Sequence, residues 1–131
     1  MLEVEVIGAE LAPDGVQVGD VEQLCGLALA SAGVEEGHLA VEFVLPERIR
    51  ELNREHRGRD AATDVLSFPV DGQAPASGPL ELGDVVICPE LTADVPEAVV
   101  HGALHLTGMD HENDDGEMLA LQAEILRWVA E

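Results

Sequence analysis

The sequence predicts an α+β protein: a single mixed sheet of about four strands with helices packed on it, and a metal site at the end of a central apolar helix. Three observations predict this. Strand-like and helix-like stretches interleave, with most strands in the first half and a helical end. Hydrophobic residues make up 47% of the 131 positions while aromatics make up 2%, so the core has to be built from Leu, Val, Ile and Ala. One strongly apolar helical stretch ends among closely spaced histidines. The length suits a single domain, residues 1–131.

Taken in order, Leu2 to Ile7 alternates apolar and acidic residues, the pattern of a half-buried strand. Asp20 followed by Gln23 has the spacing of a capping box, and predicts a helix over Leu24 to Ala32 that Gly33 stops. Leu39 to Leu45 reads as a second strand. Pro46 suits the first turn of a helix running to about His56, with Gly58 as its breaker. Asp64 to Val70 is a third strand, Asp71 to Pro79 a loop rich in Gly, Pro, Ala and Ser, and Leu82 to Ile87 a fourth strand closed by Pro89. Pro96 opens an apolar helix, Ala98 to Thr107, which Gly108 ends. A polar turn from Met109 to Asp115 leads into a last amphipathic helix, Gly116 to Ala130, whose stripe of Met118, Leu119, Leu121, Leu126 and Val129 reads as core packing.

Charge narrows the function classes. The formal net charge is −21, which argues against generic nucleic-acid binding, because phosphate affinity comes mostly from basic side chains. The bases are nevertheless clustered. There is no lysine, and five of the six arginines lie between Arg48 and Arg59, with Arg127 apart. Such a strip on an acidic body is compatible with gripping a polyanion at one place. Arg48 and Arg50 have Glu47 and Glu51 as helix neighbours to pair with. No apolar run approaches the ~20 residues of a membrane helix, and the N-terminus carries acids where a secretory signal carries bases, so a cytoplasmic protein is expected. In that compartment Cys25 and Cys88 are expected as buried thiols.

The stretch from His101 to His111 carries the chemistry. His101 and His105 are four apart in the predicted helix and stand on one face, one turn apart. Gly108 lets the chain leave the helix sharply and return His111 to the same point. Three neutral imidazoles suit one zinc ion and leave a fourth position for water, the layout of a catalytic site, in which the metal lowers the pKa of that water toward neutrality. Nickel, iron and cobalt also accept imidazole. The spacing matches the metzincin proteases, but position 102 is Gly where they carry the glutamate that serves as general base, so peptide hydrolysis by that route is not expected.

The stretch also resembles the H-G-x-L-H-L-x-G-x-D-H signature of the YbeY family of zinc-dependent endoribonucleases. Asn53-Arg54-Glu55-His56-Arg57-Gly58-Arg59-Asp60 followed by Thr63-Asp64-Val65-Leu66-Ser67-Phe68-Pro69 is similar to a second block of that family, and Leu82-Gly83-Asp84-Val85-Val86-Ile87 to a third. The three blocks occur in the family's order and span the chain from about Leu52 to its end. Two departures stand out: Met109 where an aromatic is usual, and a short Pro89 to Pro96 segment. The resemblance implies cleavage of single-stranded RNA, in 3′-end maturation of small-subunit (16S) rRNA and ribosome quality control. It implies one zinc per chain on His101, His105 and His111, and rRNA and the ribosome or a ribosomal protein as partners, with neither DNA nor membrane among them. Arg57 matches an arginine the family uses in activity. Its fork can bind a phosphate bidentately and offset charge developing during phosphodiester cleavage. Arg54 and Arg59 fit a general RNA-facing potential. Asp64 and Ser67 either orient a ligand histidine or line the cleft, or are an ordinary strand-start aspartate and turn serine. Asp110 and Glu112 flank the third histidine and either bond an imidazole or are simply solvated. Two rivals remain: a zinc hydrolase acting on another substrate, and a non-enzymatic ribosome-assembly factor with a structural metal.

Overall fold

The structure is a computed structural model that describes residues 2–13, 15–70, 81–109 and 115–130. Its sheet has four strands, β1 (Leu2–Ile7), β2 (Gly37–Phe43), β3 (Val65–Pro69) and β4 (Glu81–Ile87), in the spatial order β1-β2-β4-β3. The first three neighbours run parallel, with Val4 opposite Leu39 and Val41 opposite Val85. β3 runs antiparallel to β4 with Leu66 opposite Val86, so the sheet is mixed, as the sequence predicts. The predicted loop over residues 71–79 lies outside the described residues, as does most of the turn after Met109.

The helices divide between the two faces. Helices α1 (Val18–Ser31), α3 (Val95–Leu106) and α4 (Glu117–Ala130) cover one face, where Leu29, Leu39, Val41, Val85, Ile87, Leu104, Met118 and Ile125 are fully buried. Helix α2 (Pro46–Arg57) covers the β3–β4 end of the other face through Ile49 and Leu52, which pack with Val44, Leu66, Val86 and Cys88. The lack of aromatics is met as expected: among the described residues of the buried core only Phe43 is aromatic. Both cysteines are buried free thiols, and burial pushes the Cys25 thiol up to about 12, far from any reactive thiolate.

Two sequence expectations are corrected. Helix α1 starts at Val18, six residues before the expected Leu24. Its cap is Gln17 and not Asp20. The Asp20 side chain instead accepts from the Gln17 backbone N–H at 2.9 Å, while the Gln17 side chain accepts from the backbone of Asp20. Asp20 is thus the inner member of the box, and Val21 extends the buried row Leu24, Cys25, Ala28 and Leu29 upstream. On α4 the buried positions are Met118, Gln122 and Ile125, with Leu121 and Leu126 packed at the margin. Leu119 and Val129 are exposed. The helix turns its apolar face about one residue away from the stripe chosen on hydropathy, because Gln122 faces inward.

Candidate metal and substrate cleft

Helix α3 is the most buried helix, and its sequence explains why. Asp94 caps its start, accepting from the Glu97 N–H at 3.1 Å, and Pro96 stands in the first turn where no N–H is required. Between the histidines Gly102 lets the helix settle directly on the sheet. A Cβ there would lie 2.4 Å from Val85 Cγ1 and 3.3 Å from Ser67 Oγ. The glycine that removes the protease-type glutamate is therefore a packing requirement of this fold. Ser67 lies at this contact, donating from Oγ to the Gly102 carbonyl at 3.2 Å.

His101 and His105 emerge half-buried on one face of α3, with their Nε2 atoms 3.2 Å apart and their ring centroids 4.7 Å apart. Each ring is fixed from behind. His105 Nδ1 donates to the Met109 carbonyl at 3.0 Å, and His101 Nδ1 lies 2.8 Å from Gln122 Oε1. Both partners are acceptors, so each imidazole donates from Nδ1 and turns its Nε2 toward the other ring. Two imidazole nitrogens that face each other at 3.2 Å can share a proton or converge on a cation. This is the donor chemistry of a metal site whose ligands are oriented by outer hydrogen bonds.

The turn that reaches Met109 depends on Gly108, whose φ of +95° is a left-handed conformation that side-chain-bearing residues rarely adopt. Its N–H closes on the His105 carbonyl at 3.1 Å. The sharp exit predicted at Gly108 is present. His111, Asp110 and Glu112 lie outside the described residues, and among the described residues no group of three potential ligands assembles. His101 and His105 are thus brought together, and the third expected ligand belongs to the segment that follows the turn.

The histidines open into a cleft of about 1100 Å³ that wraps the edge strand β3. Val65, Ser67 and Pro69 line it, as do His101, His105 and Met109 from the α3 side and Arg48, His56 and Arg57 from α2. Arg57 therefore shares a cleft with the histidine pair. The acids Glu42, Asp64 and Asp84 also line it, and burial pushes the Asp84 carboxyl upward. Asp64 lines the cleft, but its carboxylate accepts from its own neighbours, the Val65 N–H at 2.9 Å and the Thr63 hydroxyl at 3.3 Å. His56 packs on Phe68 at 5.0 Å between centroids.

Asn53 and Arg50 brace the α2 block. Asn53, 5% exposed, donates from Nδ2 to the Ala61 carbonyl at 2.8 Å, tying the turn after α2 back to the helix. Arg50 clamps Asp60 through Nε and NH2 at 2.8 and 3.2 Å, and that guanidinium holds the Asp60 carboxyl below its ordinary value. The expected pairing of Arg48 with Glu51 is present at 2.6 Å, whereas Arg50 chooses Asp60 over its helix neighbours because a bidentate fork is available there. His38, without metal-ligand spacing, bonds Glu81 at 3.0 Å and lies 3.5 Å from Glu5, and the Glu81 bond raises its pKa.

Sequence reasoning missed Gln122. It is 8% exposed, and its signal was present: a lone amide on the buried face of α4, four residues after Met118 and three before Ile125.

Fold and cleft together define an α+β protein that sets an imidazole pair on a core helix against an arginine-bearing helix at the edge of a mixed sheet. Comparison with known proteins gives the family. The family profile described as Endoribonuclease YbeY matches residues 18–98. The Endoribonuclease YbeY of Rubrobacter xylanophilus is 43% identical over 128 residues, covering 93% of this chain and 88% of that protein. That of Geobacillus thermodenitrificans is 40% identical over 132 residues, covering 84% and 85%. The solution structure of TM1509 from Thermotoga maritima matches with a TM-score of 0.55 and 25% identity, over 95% of this chain and 86% of that one. The chain belongs to the YbeY endoribonuclease family.

Proposed function

We propose that this chain, a single YbeY-like metallohydrolase domain over residues 1–131, is a zinc-dependent endoribonuclease. Its substrate is single-stranded RNA, and its place is in 3′-end maturation of small-subunit rRNA and ribosome quality control in the cytoplasm. One observation carries the reading: the converging Nε2 atoms of His101 and His105 open into the cleft that Arg57 lines. His101, His105 and His111 are the residues that would hold one zinc ion, and the donor set fits it, since both described imidazoles turn Nε2 toward one point with Nδ1 engaged elsewhere. A zinc ion there supplies Lewis acidity toward water and phosphate oxygens.

The chain's own residues do the rest. Arg57, always charged, binds a phosphate of the substrate and offsets the charge that develops on its oxygens as the P–O bond breaks. The Ser67 and Gly102 contact keeps α3 pressed on β3, which holds the imidazoles at the cleft wall. An open cleft along a sheet edge suits a single strand whose bases are not paired in a duplex.

Cleavage of a single-stranded RNA by the purified protein tests the assignment. His101→Ala, which removes a metal ligand, and Arg57→Ala, which removes an interaction with developing charge, should each lose at least about 100-fold in kcat/KM. Equal activity in all three proteins would overturn it. A second reading is favoured by the net charge of −21, which suits recruitment of a basic ribosomal protein better than naked RNA. On that reading the metal is structural, and Arg57→Ala would retain function in a growth complementation assay.

A further inference from the structure

We propose that Gln122 is a positioning residue for the metal centre, one that fixes the proton of His101 on Nδ1 and so presents Nε2 as a ligand. The inference rests on the reading that His101 and His105 hold a metal, and it deepens that reading by assigning a role to helix α4. Gln122 is one of only two polar residues buried among the described residues, the other being Asn53, whose bond to the Ala61 carbonyl serves the α2 turn. A buried amide costs stability unless its polar atoms are engaged, so a glutamine retained on an otherwise apolar helix face calls for a partner. Its partner is His101 Nδ1, 2.8 Å from Oε1 and 21 residues away in sequence. His105 needs no such device, because the Gly108 turn aims the Met109 carbonyl at its Nδ1. The two ligands are thus oriented by different means: a backbone carbonyl from the same turn for one, a side chain from a separate helix for the other. Packing of Met118 and Ile125, both fully buried on either side of Gln122, ties the amide's position to the docking of α4 on the core. How well α4 is docked then sets how well His101 is aimed.

The test uses the full chain with Gln122→Met, which keeps length and removes the acceptor, Gln122→Asn, which withdraws the acceptor by one methylene, and Gln122→Glu, which restores it. Two quantities are measured. The first is the His101 tautomer in the metal-free protein, from imidazole nitrogen chemical shifts. The second is zinc affinity, by competition with a chromophoric chelator. Wild type and Gln122→Glu should show His101 protonated on Nδ1. Gln122→Met and Gln122→Asn should lose that preference, and their zinc affinity should fall about 10- to 100-fold, the usual effect of removing an outer hydrogen bond to a ligand. A wild-type tautomer in Gln122→Met and Gln122→Asn, or zinc affinity within about twofold of wild type in both, would overturn the proposal. Failure of the metal reading looks different: wild type would take up no zinc, and the tautomer measurement would still decide whether Gln122 sets the proton on His101.

Discussion

At the scale of single residues, the histidine stretch shows how far chemistry can be read from spacing. The i, i+4 separation of His101 and His105 was legible because helical geometry fixes it, and the structure brings their Nε2 atoms to 3.2 Å. Gly102 was legible only as an absence, the missing protease glutamate. Its physical role needed the partner strand, since nothing in a linear sequence says that Val85 and Ser67 press against position 102. Gln122 was missed for a related reason: hydropathy chose the apolar residues on either side of it and passed over the one amide that faces inward. Gly102→Ala follows from the geometry. A methyl group 2.4 Å from the stiff, fully buried Val85 side chain forces helix and sheet apart. The expected cost is about 1–3 kcal/mol, the range for overpacking a core. Urea unfolding checks it, and an unchanged midpoint would show that α3 can shift without penalty.

At the scale of elements, strand and helix order were legible throughout, and the errors lie at one kind of place. Strand β2 begins two residues early, and α2 and α3 fall within a few residues of expectation. Helix α1 is the exception, because a capping box reads almost equally well in either of two frames. Asp20–Gln23 has the expected order of acid and amide, while Gln17–Asp20 has the bonds. The deciding information is tertiary: Val21 is 1% exposed, so the helix has to be under way before Leu24. The two frames predict different mutants. Gln17→Ala should cost about 0.5–2 kcal/mol, as loss of an N-cap side chain does, and Gln23→Ala should cost almost nothing. Thermal or urea unfolding of the pair reads the difference directly. A larger loss in Gln23→Ala would restore the later start. The same contrast applies to the arginine block. The sequence showed five arginines in a strip, but not which were already engaged. Arg48 and Arg50 are paired to Glu51 and Asp60, leaving the end of α2 to direct Arg57 into the cleft.

At the scale of the whole molecule, the charge is the feature that local structure does not absorb. Twenty-seven acids against six arginines give −21, and the pairs formed among the described residues, such as Arg48–Glu51 and Arg50–Asp60, are exposed ones of small individual worth. Acidic side chains alternate along β1 and meet Glu42, Glu81 and Asp84 across the sheet, and this crowding contributes to the raised pKa of Asp84 through Glu81 and Glu5. Folding therefore gathers like charges that the extended chain keeps apart, and self-repulsion should be a measurable part of the stability. Raising the ionic strength from about 0.01 M to about 1 M shortens the Debye length from about 30 Å to about 3 Å, which screens the long-range repulsion among acids more than the few contact pairs at 2.6 to 3.0 Å. The urea midpoint should accordingly rise with potassium chloride over that range and then level off. A midpoint that falls would mean that the contact pairs, and with them the clamp of α2 by Asp60, outweigh the acidic field. The same field bears on the substrate. An RNA strand approaches a body of its own sign, so binding has to come from local contacts such as the arginine strip and not from steering by the protein as a whole.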